Sequence, residues 1–211
     1  MFASFAALAS TATAAAGSDN YKMRMGPSGK AAARAVLLTK SDVGSGWTGG
    51  VVKPDLSVTR CANYKPRLSD LVLNGAAKAT YKQPGFQLSS SSQVLKTAAM
   101  VRLDWQRSFA SPHFISCLRK VSAKDLPAQK GRIVSLRRLA VPRVGDNSGG
   151  IRIVIDFKVK NGTVRMVVDM VAFTKGRTEM SLTTTMPITG VEALAPNEAV
   201  FAKLMASRAR I

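Results

Sequence analysis

Alternating apolar and polar residues predict a three-stranded antiparallel meander over residues 151–185. Its first turn is expected at Asn161-Gly162, because Asn-Gly between alternating runs is the strongest short-range signal for a two-residue hairpin. A two-residue loop there brings apolar side chains together on one side of the sheet, which we name the apolar face. The facing pairs are then Val159–Val164, Phe157–Met166, Ile155–Val168 and Ile153–Met170.

The second turn of the meander has two possible lengths. A loop of two residues places Ser181 and Thr183 on the apolar face, whereas a loop of three residues, 174–176, places Met180 and Leu182 there. Burial of apolar side chains normally decides the register of a strand. We therefore expect the three-residue loop, with Gly176 in the left-handed conformation.

The opposite side of the meander, which we name the mixed face, carries charged and apolar residues together. Cross-strand ion pairs are expected between Asp156 and Arg165 and between Asp169 and Arg152. The apolar residues on this face indicate that helices cover part of it, and an open remainder would form a ligand groove. The candidate groove residues are Val154, Val167, Val171 and Phe173.

The rest of the chain predicts helices around this sheet. Helices are expected over residues 30–40, from the cap Thr97 to about residue 109, again after Ser111-Pro112, and from about Pro196 to the end. Strands are expected over residues 71–73, 79–81, 86–95 and 133–141. The fold class is therefore α+β, with a mainly antiparallel sheet flanked by helices in a single domain over residues 30–211.

The first residues of the chain have the features of an export signal. Residues 1–16 are uncharged and end in three alanines, although they lack the basic segment that usually begins such a signal. We expect a signal peptide over residues 1–16 and a linker over residues 17–29. In an exported protein the two cysteines, Cys61 and Cys117, are expected to form a disulfide. The alternative is a cytosolic protein with two reduced thiols.

The formal net charge of +19 favours anionic partners such as nucleic acid, acidic cell-surface polymers or anionic lipids. The alternative is a solvated basic surface without a dedicated partner. The densest basic segment is residues 130–143, but the aromatic residues that would accompany it in a nucleic-acid module fall at expected core positions. Nucleic acid is therefore the less favoured partner.

The sequence contains few of the residues on which catalytic and metal sites depend. His113 is the single histidine, and no Gly-x-Ser-x-Gly motif or phosphate-binding loop is present. One histidine and two cysteines do not supply a zinc site, and acidic residues such as Asp104 and Glu179 are scattered along the chain. We expect no catalytic residues, no metal and no cofactor.

Several segments together resemble the exported sensor-type domains of actinobacteria, as found in a mycobacterial receptor serine/threonine kinase and in related secreted proteins and lipoproteins. The similarity lies in the alanine-rich segment that ends at Trp47, in Cys61, in the helix with Trp105, in Cys117-Leu118 and in the final meander and helix. It implies a sheet flanked by helices, with a ligand cleft and no established catalysis. The kinase-linked domain has two disulfides, whereas this chain has cysteines for one.

These observations favour an exported, non-enzymatic sensor-like domain at the cell envelope. Its expected partner is a small ligand or an anionic envelope component, and the protein is expected to be a monomer without a transmembrane span. The alternatives are a cytosolic basic protein associated with nucleic acid and an enzyme of unrecognised type.

Overall fold

A computed structural model describes residues 19–209. Within this range the helices are α1 (Pro27–Ala35), α2 (Lys40–Val43), α3 (Ala98–Arg107), α4 (Phe114–Asp125) and α5 (Val191–Arg208). The strands are β1 (Lys22–Met23), β2 (Thr48–Val52), β3 (Val72–Gln83), β4 (Phe86–Leu95), β5 (Gly131–Leu139), β6 (Asn147–Val159), β7 (Gly162–Lys175) and β8 (Thr178–Pro187). Short 3₁₀ turns occupy Leu126–Gln129 and Ile188–Gly190.

The strands form one sheet in the order β1-β3-β4-β8-β7-β6-β5, and β2 pairs with the second half of β3. β1 and β3 are parallel, and the other strand pairs are antiparallel. This confirms the α+β class with a mainly antiparallel sheet and flanking helices.

Hydrophobic cores lie on both faces of the sheet. On the mixed face, α1 and α5 pack over a core that includes Leu88, Phe173 and Leu182. On the apolar face, α3 and α4 cover a core built on Ile151 and Ile155 in β6. The sheet is therefore the middle layer of a three-layer molecule. The expected strand over residues 86–95 is confirmed as β4.

The first turn of the meander differs from the expected one. Val159 pairs with Gly162, so the two loop residues are Lys160 and Asn161 and every facing pair is shifted by two residues, for example Ile153 with Val168. Gly162 adopts a φ of +135°, which a glycine tolerates without steric cost. Because the shift is an even number of residues, each side chain stays on its expected face.

The expected three-residue loop at the second turn is wrong. Lys175 pairs with Thr178, so the loop has two residues, and Ser181 and Thr183 lie on the apolar face. Met180 and Leu182 point to the mixed face, where they are buried beneath the helices. The expectation failed because it assumed that only one face of β8 is covered.

The folded domain begins within residues 17–29, the segment that was expected to be a linker. β1 pairs with β3, and α1 begins at Pro27. The helix expected over residues 30–40 is divided into α1 and α2. The backbone N–H of Leu38 donates to the buried Oγ of Ser90, 3.1 Å away, which fixes the chain outside a helix at this point.

Cys61 and Cys117 form a disulfide that joins the loop before β3 to α4, with 5.6 Å between the two Cα atoms. The expected disulfide is therefore confirmed. Among residues 19–209, no helix combines the length and hydropathy needed to cross a bilayer. The expected signal peptide, residues 1–16, lies outside the described residues.

Candidate functional site

Strands β4 and β8 carry polar side chains on the side of the sheet that is apolar in β6 and β7. The opposed residues on this side are Gln87–Thr185, Ser89–Thr183, Ser91–Ser181 and Gln93–Glu179. We name these four pairs the polar ladder. A polar row on the two central strands of a sheet is unusual, because central strands normally bury apolar side chains on a covered face.

Alternate serines of β4 have separate roles on the two faces. Ser91 Oγ and Ser181 Oγ lie 2.7 Å apart within the ladder. Ser90 and Ser92 face the opposite way, and Ser92 donates to the carbonyl oxygen of Ala33 at 2.6 Å. Since Ser90 also accepts from Leu38, the mixed-face serines bind the end of α1 and the chain after it. The ladder serines bond instead to side chains of the neighbouring strands, Ser91 to Ser181 and Ser89 to Thr80 at 3.0 Å.

Helix α3 covers one end of the polar ladder. Its first turn is capped by the Thr97 side chain, which accepts from the Met100 N–H at 3.2 Å and confirms the expected N-cap. Near its end, the Arg107 guanidinium contacts both carboxylate oxygens of Asp70 at 2.6 and 3.1 Å. These contacts hold α3 in a fixed position over the sheet.

Two aromatic rings from this region face the sheet. Trp105 and Phe109 stack with their ring centroids 4.8 Å apart. Phe109 packs directly on Gly149 of β6, where a Cβ atom would lie 2.5 Å from the ring. The Arg138 guanidinium lies 4.7 Å from the Phe109 centroid and donates to the Phe109 carbonyl oxygen at 2.7 Å.

A cavity of about 160 Å³ lies between α3 and the covered end of the polar ladder. The aromatic part of its lining is Trp105 and Phe109. Its polar lining residues are Ser91, Ser92, Gln93, Ser108, Thr174, Glu179 and Ser181, and Ala172, Phe173 and Met180 complete it. No lysine or arginine is among these residues, although the chain is strongly basic.

Glu179 of β8 lines this cavity, and its carboxyl group lies beside that of Asp104 of α3. Burial is the main cause that raises the pKa of Glu179 well above its ordinary value, and the neighbouring Asp104 raises it further. Burial also raises the pKa of Asp104, while hydrogen bonds from Tyr21, Ser108 and Glu179 oppose that shift. The two groups share a proton, because two adjacent buried carboxylates cannot both ionise.

The Asp104 side chain is buried within a network of donors. The Tyr21 hydroxyl donates to Asp104 Oδ2, and the Ser108 hydroxyl lies 3.1 Å from Oδ1. The hydrogen bonds to Asp104 favour its charged form, whereas burial and the neighbouring Asp104 raise the pKa of Glu179 and favour its protonated form. The bond from Tyr21 also ties the segment before β1 to α3.

Two polar atoms at the cavity lack hydrogen-bond partners. Within residues 19–209, Gln93 Oε1 and Glu179 Oε1 are fully enclosed and have no partner. The two residues face each other in the polar ladder and both line the cavity. Leaving such groups unpaired costs roughly 1–3 kcal/mol each. A ligand that donates hydrogen bonds to them would remove this cost.

The candidate groove on the mixed face is not open. Val167, Val171 and Phe173 are buried in the core with α1 and α5, and Val154 packs against the same core. Helices cover these residues. The apolar residues on the mixed face had indicated such covering helices as well as a groove. Phe173 also borders the cavity, whose polar lining, apart from Ser92, belongs to the opposite face.

The ion pairs expected on the mixed face are confirmed. Arg152 Nε donates to Asp169 Oδ1 at 2.7 Å, and Arg165 Nε donates to Asp156 Oδ1 at 2.7 Å. His113 is exposed and is the N-cap residue of α4, where its side chain makes no capping hydrogen bond. Over residues 19–209, no cluster of three or more His, Cys, Asp or Glu side chains is arranged to hold a metal.

The sequence did not reveal the cavity. Asp104 and Glu179 lie on a helix and a strand that are distant in the chain, and both belonged to the scattered acids. The available signal was the alternation of Glu179, Ser181, Thr183 and Thr185 in β8, which matches the serines of β4 once the two strands are paired.

Comparisons with known proteins do not assign a family. No model of a known protein family and no curated protein matches this chain. The solved structure of PA94, a protein of unknown function from Pseudomonas aeruginosa, is similar over 74% of this chain and 94% of that chain. The sequence identity is 10% and the TM-score is 0.33, so this likeness carries no argument about function.

Proposed function

We propose that this protein is an exported, non-catalytic domain that binds a small ligand at the cell envelope, and that the ligand occupies the cavity beneath α3. The observation that carries this proposal is the pair of enclosed, unpaired oxygens, Gln93 Oε1 and Glu179 Oε1, in one cavity. Buried polar atoms without partners are rare in folded proteins, and they commonly mark functional positions.

The arrangement of the acids favours binding over hydrolysis. Glycosidases keep their two carboxyl groups at least about 5 Å apart, so that a sugar or a water molecule fits between them. Here Asp104 and Glu179 are hydrogen-bonded to each other, and Asp104 also accepts from Tyr21 and Ser108. Asp104 is therefore already engaged by three donors and is poorly placed to activate a water molecule or attack a substrate.

Export is supported by the disulfide and by the first residues of the sequence. Disulfides such as Cys61–Cys117 persist mainly in oxidising compartments outside the cytosol. The uncharged, alanine-rich residues 1–16 suit an export signal, and the sensor-type domains that the chain resembles are themselves exported.

A fragment screen by ligand-observed NMR tests ligand binding. The key variant is Ala172→Leu, which fills the cavity from β7 without removing a polar group, and the matched control is Val168→Leu, on the same face of β7 but outside the cavity lining. We expect fragments that bind the wild type to lose binding in Ala172→Leu and to keep it in Val168→Leu. Equal binding to both variants, with both folded by circular dichroism, would place the fragments elsewhere and reject this site.

Mass spectrometry of the protein from its native host tests export. We expect a mature chain that begins near residue 17 and contains the Cys61–Cys117 bond. A chain that keeps residues 1–16 and two free thiols in the cytosol would reject the export part of the proposal.

A further inference from the structure

We infer that the ligand of the cavity is a neutral, hydroxyl-rich molecule of the carbohydrate class, with one sugar ring against Trp105 and its hydroxyl groups donating to Gln93 and Glu179. This inference rests on the proposed function and adds the chemical class of the ligand.

The hydrogen-bonding groups of the cavity require a ligand with donors. Gln93 Oε1 is an amide acceptor. Glu179 Oε1 is a second enclosed atom without a partner, on a carboxyl group whose pKa is raised well above its ordinary value by burial and by Asp104. Ser91 and Ser181 add hydroxyl groups that can both donate and accept. Adjacent hydroxyl groups on a sugar ring match this set, because each of them can donate and accept as well.

The charges around the cavity disfavour an anion. No lysine or arginine lines it, and the charge of the carboxyl pair is negative. The nearby Arg107 is already bound to both oxygens of Asp70. An anionic ligand would therefore be buried without a cationic partner, which costs several kcal/mol.

A cation is disfavoured for a different reason. Glu179 is protonated in the free protein because of its burial and its contact with Asp104. The charged partner in the pair, Asp104, is not part of the cavity lining and is already held by Tyr21, Ser108 and Glu179. A counter-charge within the lining would arise only if Glu179 lost its proton, and two adjacent carboxylates would then be buried together. A neutral ligand leaves the proton of the pair in place.

The shape of the site suits a ring with a chain of hydroxyl groups. The volume of about 160 Å³ is that of about five water molecules, which is small for a ligand pocket and close to the size of one sugar ring. The stacked Trp105 and Phe109 rings offer an apolar, electron-rich surface for the C–H face of a sugar. Beyond the cavity, Thr183 and Thr185 are partly exposed and continue the polar ladder. A longer saccharide would therefore make further hydrogen bonds outside the cavity.

Saturation-transfer NMR with matched sugars tests the ligand class. The neutral probes are the methyl glycosides of glucose, mannose, galactose and arabinose, and the charged probes are glucosamine, galactosamine, glucuronate and galacturonate. We expect at least one neutral probe to bind at least tenfold more tightly than its ammonium and carboxylate counterparts. We also expect that binding to be lost in Ala172→Leu and kept in Val168→Leu.

Two substitutions of Glu179 give a second readout. Glu179→Gln keeps an acceptor oxygen at Oε1 and a donor toward Asp104, so neutral sugars should bind within about threefold of the wild type. Glu179→Ala removes the acceptor and should weaken their binding at least tenfold. Stronger binding of an aminosugar that Glu179→Gln abolishes would overturn the ligand class while keeping the site. If fragments bind in the cavity but no sugar does, the ligand class is likewise overturned. If no probe shows binding that depends on the cavity, the proposed function is overturned as well.

Discussion

Glu198 of α5 is an ionisable residue buried in the core of the mixed face. The Thr184 hydroxyl donates to its carboxyl group, and Asp169 and Arg152 lie close enough to influence it. Burial raises the pKa of Glu198 from 4.5 to about 7. The folded protein therefore holds a proton on this residue at a pH where the unfolded chain has lost it.

This shift predicts how stability depends on pH. Below about pH 4.5 the residue is protonated in both states and has no effect, and between about pH 4.5 and 7 the folded state becomes progressively less favoured. Glu198→Gln removes this loss, so the variant should be more stable than the wild type at pH 8, by on the order of 3 kcal/mol, and nearly equal to it at pH 4.5. Urea unfolding at both pH values measures the difference, and the exposed Glu192→Gln on the same helix is the control. A gain that is the same at both pH values would contradict this account.

The ion pair between Arg152 and Asp169 gives a second prediction at this scale. The Asp169 side chain is 0% exposed, so Asp169→Asn leaves the Arg152 charge buried without its partner. We expect a loss of about 3–5 kcal/mol in the free energy of unfolding. Asp156→Asn is the matched control, because its partner Arg165 is 48% exposed and can turn to solvent. Equal losses in the two variants would show that burial of the partner does not decide the cost.

The elements of this protein illustrate what a periodic pattern determines. Period-two alternation assigned the side chains of β6 and β7 to the correct faces, and β4 and the capped α3 were found because their patterns are local. The pattern does not determine the stagger between strands, so the first turn was misplaced by one residue and the facing pairs by two. The residues of β8 were assigned to the wrong faces. Its serine and threonine residues lie on the apolar face, where helices partly cover them, and its apolar residues pack into the second core on the mixed face.

The candidate site was harder to predict than the fold for the same reason. Its chemistry depends on Asp104 and Glu179, which meet only after α3 folds over β8. Each acid alone looks like an ordinary surface residue, and only the pairing of β4 with β8 joins their polar neighbours into one ladder. Likewise, the expected groove residues are part of the core because helices pack over the mixed face.

The packing of α1 on β3 gives a prediction at the scale of elements. Gly29 of α1 lies so close to β3 that a Cβ atom would be 2.1 Å from the Asn74 carbonyl oxygen. Gly29→Ala should therefore destabilise the protein by about 1–3 kcal/mol, although alanine favours helix formation. Gly26→Ala is the control, since a Cβ there has no atom within 4 Å, and it should cost less than about 1 kcal/mol. Chemical unfolding of both variants measures the difference, and equal stability would mean that α1 can shift away from β3.

The disulfide acts on the whole molecule. It joins residues 56 positions apart, so it restricts the unfolded chain and should contribute about 4 kcal/mol in the chain-entropy model. The variant with both Cys61→Ala and Cys117→Ala should lose about this amount relative to the oxidised wild type. Reduced wild-type protein is the control, because it keeps both sulfur atoms in place. If the reduced and oxidised proteins unfold at the same urea concentration, the bond does not stabilise the fold.

The position of β5 at the end of the sheet has a consequence for self-association. A free edge strand offers unpaired backbone groups to another molecule, and charged side chains on the edge discourage such pairing. β5 carries Arg132 and Arg137, both exposed, and its register with β6 shifts between Ile133 and Ser135. These features disfavour edge-to-edge pairing of β5 between copies of this chain. Replacing Arg132 and Arg137 with threonine should produce concentration-dependent dimers or aggregates in sedimentation experiments, while the wild type stays monomeric under the same conditions.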